Sequence, residues 1–507
     1  MRVPSVVPRR ATLGVDVVAA LNLVGSLTTP LGLAFLVPAA FAVGYGEPVW
    51  PFLVSGVITA AFGTGLERLT SGKEHVRGRE GFLVVALLWL LIAVFGALPY
   101  LFAEPQMTHP VDALFESMSG FSTTGASIVT DYEALSRSMA MWRQFTQWLG
   151  GLGIIVLFLA VLPRLGVAGR QALFRSEAPG PEIGLEATIR ETARRFLALY
   201  VGLTVLACVV LAVLGWTGVD ERMTPYQAVA HGLTSAATGG FSPEARSMEG
   251  FAPATQWIVV VLMIMGGTNF ALLYAGIVLR RPASLARDEE FRWYLLLLAL
   301  ASLVVLVALE DDGTFAGEAV VRHAVFNTVS MMTTTGYASS DFNLWGPLAT
   351  LVLFGAVMVS ASAGSTGGGI KLVRHVIVAK MLSRELRTTV HPELIAPLRL
   401  NGSVVDERTL RAMIVFLFLY LGVCAMSAVL LLLDSSLRGV DLTAYHALVD
   451  SAAALSNAGP GLGFAGPMGS YAPFSDESKL VLTAEMYLGR LEIIPVLVLL
   501  SRGFWRP

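Results

Sequence analysis

Four short, uncharged stretches of the chain carry residue types that could replace the water around a small cation. They are Ser122-Thr123-Thr124-Gly125-Ala126, Ala236-Ala237-Thr238-Gly239-Gly240, Thr333-Thr334-Thr335-Gly336-Tyr337 and Ser456-Asn457-Ala458-Gly459-Pro460. A dehydrated cation needs oxygen ligands, and rings of backbone carbonyls from four converging loops can supply them. Aiming successive carbonyls inward demands backbone angles that glycine reaches at little cost, hence one glycine per loop. The candidate cation ligands are therefore Thr123, Thr124 and Gly125; Ala237, Thr238 and Gly239; Thr334, Thr335 and Gly336; and Asn457, Ala458 and Gly459. A single Thr-Gly is an ordinary turn. Four copies with glycine spacings of 114, 97 and 123 residues instead repeat a unit of domain size, well beyond a solenoid period.

The elements that must position these loops extend upstream. Ten residues before each glycine stand Phe115, Val229, Phe326 and Val449, followed by Glu116-Ser117, Ala230-His231, Asn327-Thr328 and Asp450-Ser451. Each block is helix-sized yet too short and too polar to cross a hydrocarbon core about 30 Å thick. It must enter the membrane and stop, which is tolerated only where protein buries the backbone or where it lines a water-filled path. The C-terminus of each short helix, with roughly half a negative charge, then points at a cation path.

Composition agrees with a pore in a membrane. The chain has 507 residues, 55% hydrophobic and 14% charged, with a mean hydropathy of +0.67, which excludes a set of soluble domains. The expected fold is an all-α polytopic membrane protein. Four pseudo-symmetric units of outer helix, pore helix, filter loop and inner helix surround one pore, and two extra transmembrane helices precede them. Residues 1–80 hold those two helices, 81–175 unit 1, 176–285 unit 2, 286–400 unit 3 with a broken inner helix, and 401–507 unit 4. Ten spans and four half-helices result.

Arg9 and Arg10 precede an apolar run from about Ala11 to Gly44, and Ala40-Phe41-Ala42 imitates a signal-peptidase site. The run is much longer than a signal h-region, so a retained helix is expected. With the N-terminus cytoplasmic, inner segments hold 28 Lys+Arg against 17 Asp+Glu, and outer segments 7 against 20. The positive-inside rule then puts all four filter loops at an acidic outer mouth that concentrates cations. Cys208 and Cys424 lie far apart inside apolar runs, and the scattered histidines show no metal-ligand spacing.

Below the third filter loop the inner helix meets Ser360-Ala361-Ser362-Ala363-Gly364-Ser365-Thr366-Gly367-Gly368-Gly369-Ile370-Lys371, too glycine-rich to stay helical. Broken backbone at that depth marks a lined cavity, and its place beneath the filter suggests a gate. Two enzyme motifs are imitated there and fail. Gly364 to Lys371 has Leu372 where a phosphate-binding loop needs Ser or Thr, and Gly364-Ser365-Thr366 lacks the strand and partners of a nucleophile elbow. No enzyme activity is expected. Small pairs at Gly150-Gly151 and Gly266-Gly267 suit close helix packing. The fourth unit instead has Gly489-Arg490, and an arginine in an apolar helix costs roughly 2.5 to 3.5 kcal/mol, making it a functional candidate. An ion pair with Glu485 or Glu492 is the plain alternative.

Together the four loops, Ala363 to Lys371, Leu488-Gly489-Arg490-Leu491-Glu492-Ile493 and the linker His391-Pro392 through Asn401-Gly402 resemble the Trk/Ktr/HKT superfamily of potassium transporters, specifically its TrkH-type bacterial members. The resemblance covers essentially the whole chain. It implies uptake of potassium ion (K+) through a gated, channel-like pore, with K+ held at the filter residues and no organic cofactor. The gate would comprise Gly364, Ser365, Thr366, Gly367, Gly368, Gly369, Lys371 and Arg490, with Arg490 facing the glycine-rich break. It further implies a homodimer in membrane lipid of the bacterial cell (inner) membrane, a cytoplasmic ring of nucleotide-binding TrkA-type RCK subunits, and no nucleic acid partner. A proton- or sodium-coupled potassium symporter is the alternative. Asn457-Ala458-Gly459 departs from the Thr-Gly pattern, so the filter lacks true fourfold symmetry.

Overall fold

The computed structural model describes residues 15–70, 78–160, 185–313, 315–394 and 396–506. They form a multi-pass helical bundle, with a single short hairpin, Arg399–Leu400 against Ser403–Val404, among the described residues. Outer helices span Gly78–Gly96 continued by Leu98–Ala103, then Leu185–Trp216, Glu289–Asp312 and Glu407–Arg438. Pore helices follow at Pro110–Phe121, Pro225–Ala236, Glu318–Met332 and Ala444–Leu455. Their starts are written in sequence. Proline opens the first two, where its missing N–H costs nothing, and the Thr224 and Thr443 hydroxyls accept from Gln227 N and His446 N.

The inner helices depart from expectation. Only the third was expected to break, and it does, into Pro347–Val359 and Leu372–Val390. The second also breaks: it stops at Gly266 and turns by 108° before continuing from Phe270 to Val278. Asn269 restarts it by accepting from Ala271 N and Leu272 N, and the freed carbonyls of Gly266 and Gly267 accept from Thr366 N and Ser362 N. The fourth stops at Arg490 and resumes at Ile494, with Glu492 and Ile493 both at positive φ. Ser362, 95 residues from Gly267, and Thr366, 100 from Gly266 and 124 from Arg490, hold breaks that no local pattern reports. Breaks in three of the four inner helices contribute to the shortfall, six helices, or seven counting the bent pair, being long and apolar enough to cross a membrane among the described residues against ten spans expected; inner helix 1, continuous over Arg137–Ala160, is also not among them. The basic linker 163–195 and Arg9-Arg10 lie largely outside the described residues.

The N-terminal run is kinked, as Val17–Thr28, Leu31–Ala34 and Leu36–Tyr45, and packs antiparallel on Trp50–Leu69. Two glycine pairs seven residues apart make the contact. A Cβ on Gly63 would lie 2.6 Å from Thr29 N, one on Gly25 2.8 Å from Gly63 O, and one on Gly32 2.7 Å from Gly56 O. Small residues let the backbones approach, so dispersion rather than hydrophobicity holds the pair in lipid. The hairpin then clamps unit 1. Glu47 accepts from Arg137 N and Ser138 N, both at 2.8 Å, capping inner helix 1, Arg137–Ala160, and Phe35 stacks on Trp142 at 4.5 Å.

Gly63→Val is expected to lower the thermal stability of the detergent-solubilised protein by about 1 to 3 kcal/mol, the usual cost of overpacking. Gly65→Val, whose Cβ would meet open space, is the control and is expected to unfold at the wild-type temperature.

Candidate functional site

Each pore helix ends in the same backbone figure. The capping residues Ser122, Ala237, Thr333 and Ser456 are right-handed, with φ between −83° and −74°. The next residues, Thr123, Thr238, Thr334 and Asn457, are left-handed at φ 55°, 48°, 57° and 56°. One residue on, Thr124 N, Gly239 N, Thr335 N and Ala458 N each donate back to a carbonyl of the pore helix, that of Ser119, Thr234, Ser330 and Ala453, all at 2.9 Å. Then come Gly125, Gly240, Gly336 and Gly459 at φ 85°, 83°, 84° and 89°. Alternating right- and left-handed residues turn successive peptide planes so that neighbouring polar groups converge on one side, the backbone arrangement of ion-binding concavities.

This fourfold equivalence corrects the reading of loop 2 by one residue. The trio that matches Thr123, Thr124 and Gly125 is Thr238, Gly239 and Gly240, rather than Ala237, Thr238 and Gly239. Loop 2 has two consecutive glycines, and the Thr-Gly pattern anchors on the first, whereas left-handed geometry needs the second. Gly239 itself is not at positive φ.

The four loops close a ring. A Cβ built on Gly125 would strike the carbonyl oxygen of Gly239; on Gly240, that of Thr335; on Gly336, that of Ala458; and on Gly459, that of Thr124. The order runs 1, 2, 3, 4 and back to 1. Glycine is thus required twice at each position, for its φ and for the approach of the next loop. All four glycines line one cavity of about 50 Å³. Among the described residues, no donor reaches the carbonyl oxygens of Thr124, Thr335 or Ala458.

Behind each loop one polar side chain of the pore helix ties down the chain leaving the loop. Glu116 accepts from Ile128 N at 2.9 Å and Ser127 Oγ at 3.0 Å; His231 Nε2 meets Ser242 Oγ at 3.0 Å. Asn327 donates to Ser339 Oγ at 3.0 Å, and Asp450 accepts from Leu462 N at 2.9 Å. The shared polar position was visible in sequence, but its task was not, since the partners lie 11 or 12 residues downstream across the filter. Unit 1 alone adds a cation: Arg143 Nε donates to Glu116 Oε1 at 2.7 Å, Nη2 donates to Ser127 Oγ at 2.9 Å, and the guanidinium stands 4.2 Å from the Phe241 ring centre. Sequence reasoning missed Arg143. The desolvation argument that singles out Arg490 applies equally to it.

The glycine-rich segment lies directly beneath the ring. It is bounded by Ser360 at φ 63° and Lys371 at φ 68°, and Gly364 and Gly369 are also left-handed. Gly368 N donates to the loop 3 hydroxyl Thr334 Oγ1 at 2.8 Å, and Thr238 Oγ1 donates to Thr366 Oγ1 at 3.1 Å. From the other side Phe270 N donates to Gly364 O, Ala363 N to Glu290 Oε1, and Lys371 Nζ to Gly367 O. Arg490 is buried and bridges two walls, with Nη1 donating to Thr366 O at 3.0 Å and Nη2 to Gly150 O at 2.9 Å. Neither glutamate offered as its alternative partner is engaged by it. Glu492 pairs with Arg374 at 2.6 Å, and Glu485 accepts from Ser451 Oγ at 2.6 Å. The inner-helix glycines Gly150, Gly367 and Gly489 fit against pore-helix or filter carbonyls, those of Phe121, Thr333 and Leu455. The segment follows a helix, not a strand, so neither enzyme motif finds its structural setting.

A family described as TrkH, cation transport protein, matches residues 51–504. The chain is 33% identical over 495 residues to the Trk system potassium uptake protein TrkH of Vibrio parahaemolyticus, covering 96% of this chain and 99% of that protein. It is 36% identical over 428 residues to TrkI of Halomonas elongata, covering 84% of each chain. It is 32% identical over 491 residues to TrkG of Escherichia coli, covering 96% and 98%. The crystal structure of the potassium transporter TrkH from Vibrio parahaemolyticus superposes with a TM-score of 0.86 at 30% identity, over 97% of this chain and 100% of that one.

Arg143→Met strands the buried Glu116 carboxylate and is expected to cost about 3 to 5 kcal/mol of stability, the usual loss when one partner of a buried pair is removed. Adding Glu116→Gln is expected to restore most of it. Thermal unfolding of the two variants and wild type in one detergent measures both.

Proposed function

Since the chain belongs to the TrkH family of cation transport proteins, the Trk potassium-uptake transporters, we propose that it passes K+ down its electrochemical gradient through the ring of four loops, with the 364–369 segment as gate. The observation that carries this reading is the closed order of glycines and carbonyls, Gly125 to Gly239, Gly240 to Thr335, Gly336 to Ala458 and Gly459 to Thr124. Three of these carbonyls, on Thr124, Thr335 and Ala458, meet no protein donor among the described residues, and such oxygens are what a dehydrated cation needs; the ring glycines beside them line one small cavity. The filter residues are then Thr123, Thr124, Gly125, Thr238, Gly239, Gly240, Thr334, Thr335, Gly336, Asn457, Ala458 and Gly459, with Ala237 as the helix cap before them. The excess of acidic residues on the filter side supports a mouth facing outward and a cytoplasmic N-terminus, in the bacterial inner membrane. The family resemblance supports a homodimer regulated by cytoplasmic TrkA-type RCK subunits.

Gating follows from the hydrogen bonds. The 364–369 backbone closes the path below the filter, and its carbonyls would be orphaned there without donors. Arg490 supplies two such bonds at once, joining the loop to inner helix 1 at Gly150. Its charge also opposes a cation in the closed path, an effect that grows where the dielectric is low.

Rubidium uptake by proteoliposomes containing the purified protein tests the transport reading; absence of flux with and without the RCK partner would end it. Within that assay Gly240→Ser and Gly336→Ser are each expected to lower K+ over Na+ discrimination, because a side chain there is strained and displaces the next loop's carbonyl. Gly240 rather than Gly239 carries the φ-dependent part of the effect. Unchanged permeability ratios in both variants would remove the filter assignment.

Arg490→Ala is expected to raise partner-free leak without changing that ratio, and Arg490→Lys to fall between, since charge remains but the planar fork is lost. Thermal melts run alongside separate the outcomes: lost stability with no added leak would count against a gating role.

A further inference from the structure

Loop 2 differs from the others at the middle position of its trio. Loops 1, 3 and 4 have a side chain there, Thr124, Thr335 and Ala458, and the two threonines bond back to the residue two before, Ser122 at 2.6 Å and Thr333 at 2.7 Å. Loop 2 has Gly239, and the residue two before it is Ala237, so neither half of that brace exists. The space is not empty. A Cβ on Gly239 would collide with the Gln147 side chain, which reaches across from inner helix 1 of the neighbouring unit and is fully buried. Gln147 Nε2 donates to Gly239 O, and its Oε1 accepts from Phe241 N at 3.0 Å. One amide thus satisfies both polar groups of a short loop segment, as a paired strand would.

In units 2 and 4 Gln147 has no polar counterpart, and in unit 3 the inner helix is broken there. Gly150, Gly266 and Gly489 correspond, each fitting against its own pore helix or filter loop, and three residues before them stand Gln147, Met263 and Met486. The polar residue faces the loop that lacks both brace hydroxyls; loop 4, with Ala458 two after Ser456, lacks one of them. The Gln147 donor also engages Gly239 O, the loop 2 member of the ring whose other carbonyls, on Thr124, Thr335 and Ala458, meet no donor among the described residues.

We propose that Gln147 is a specificity-determining residue, a positioning group that supplies from a neighbouring helix the side chain loop 2 lacks and fixes the Gly239 carbonyl in the cation ring. The inference rests on the filter reading above. Freed of Gln147, the Gly239–Phe241 backbone can turn its carbonyl away or inward, and a ring that adapts its radius tolerates the smaller sodium ion. A neutral hydrogen bond is worth enough to shift such an equilibrium roughly two- to tenfold.

The test measures K+ over Na+ permeability ratios and thermal melts on the full-length protein in proteoliposomes. Gln147→Ala and Gln147→Met are each expected to lower the ratio by roughly two- to tenfold, the second retaining bulk and hence the melting temperature. A second arm moves the brace into the loop: Gln147→Ala with Ala237→Ser and Gly239→Thr makes loop 2 read Ser-Thr-Thr-Gly, as loop 1 does at Ser122 to Gly125. This triple variant is expected to recover a ratio near wild type, while Gly239→Thr alone, clashing with Gln147, is expected to lower it. A wild-type ratio in folded Gln147→Met overturns the proposal, as does a folded triple variant no more selective than Gln147→Ala. Gly336→Ser, run in parallel, tells the two failures apart: if it lowers the ratio when Gln147→Met does not, the filter reading stands and only the role of Gln147 falls.

Discussion

Backbone polar groups that cannot be paired within a helix dominate this protein. Membrane interior offers no water to satisfy them, so every break in a helix must find a partner or line the path of an ion. On the proposed reading, the ring of loops uses the second solution and the 360–371 segment the first. At the ring, each glycine abuts a carbonyl of the next loop. A few ångströms below, the carbonyls and amides of the 360–371 segment are taken up by Gly266, Gly267, Phe270, Thr334 and Arg490.

The ring of loops and the 360–371 segment are therefore not separate layers. Thr334 is left-handed within its loop, and its hydroxyl accepts from Gly368 N in the segment; Thr238 Oγ1 instead donates to the Thr366 hydroxyl. The breaks in inner helices 2 and 4 belong to the same arrangement, since one exposes the carbonyls that hold the segment and the other ends at the arginine that pins it. Symmetry in the backbone coexists with asymmetry in the side chains. The four braces behind the loops are a glutamate paired with Arg143, a histidine, an asparagine and an aspartate, doing one mechanical task with different charge. A task defined by reach and hydrogen-bonding capacity tolerates such exchange, whereas the φ near 85° at the ring admits glycine alone in all four units.

The sequence by itself determined the membrane class, the four pore-helix units, three of the four left-handed ring glycines and the placing of a charge, Arg490, in an apolar helix. Each of these is a local property: hydrophobic run length, a repeated polar-to-glycine spacing, or a charge where lipid forbids one. What only the tertiary structure decided is relational. Which glycine of Gly239-Gly240 is the left-handed one depends on where the pore helix ends, and both satisfy the same pattern. Whether Arg490 meets a glutamate or a carbonyl depends on what the packing brings within 3 Å, and residues 150 and 366 are remote from it in the chain. Arg143 and Gln147 likewise acquire their meaning from loops on other elements. Hydrogen bonds are short-ranged and directional, so a composition or a period can state that a polar group must be satisfied, and only the fold states by whom.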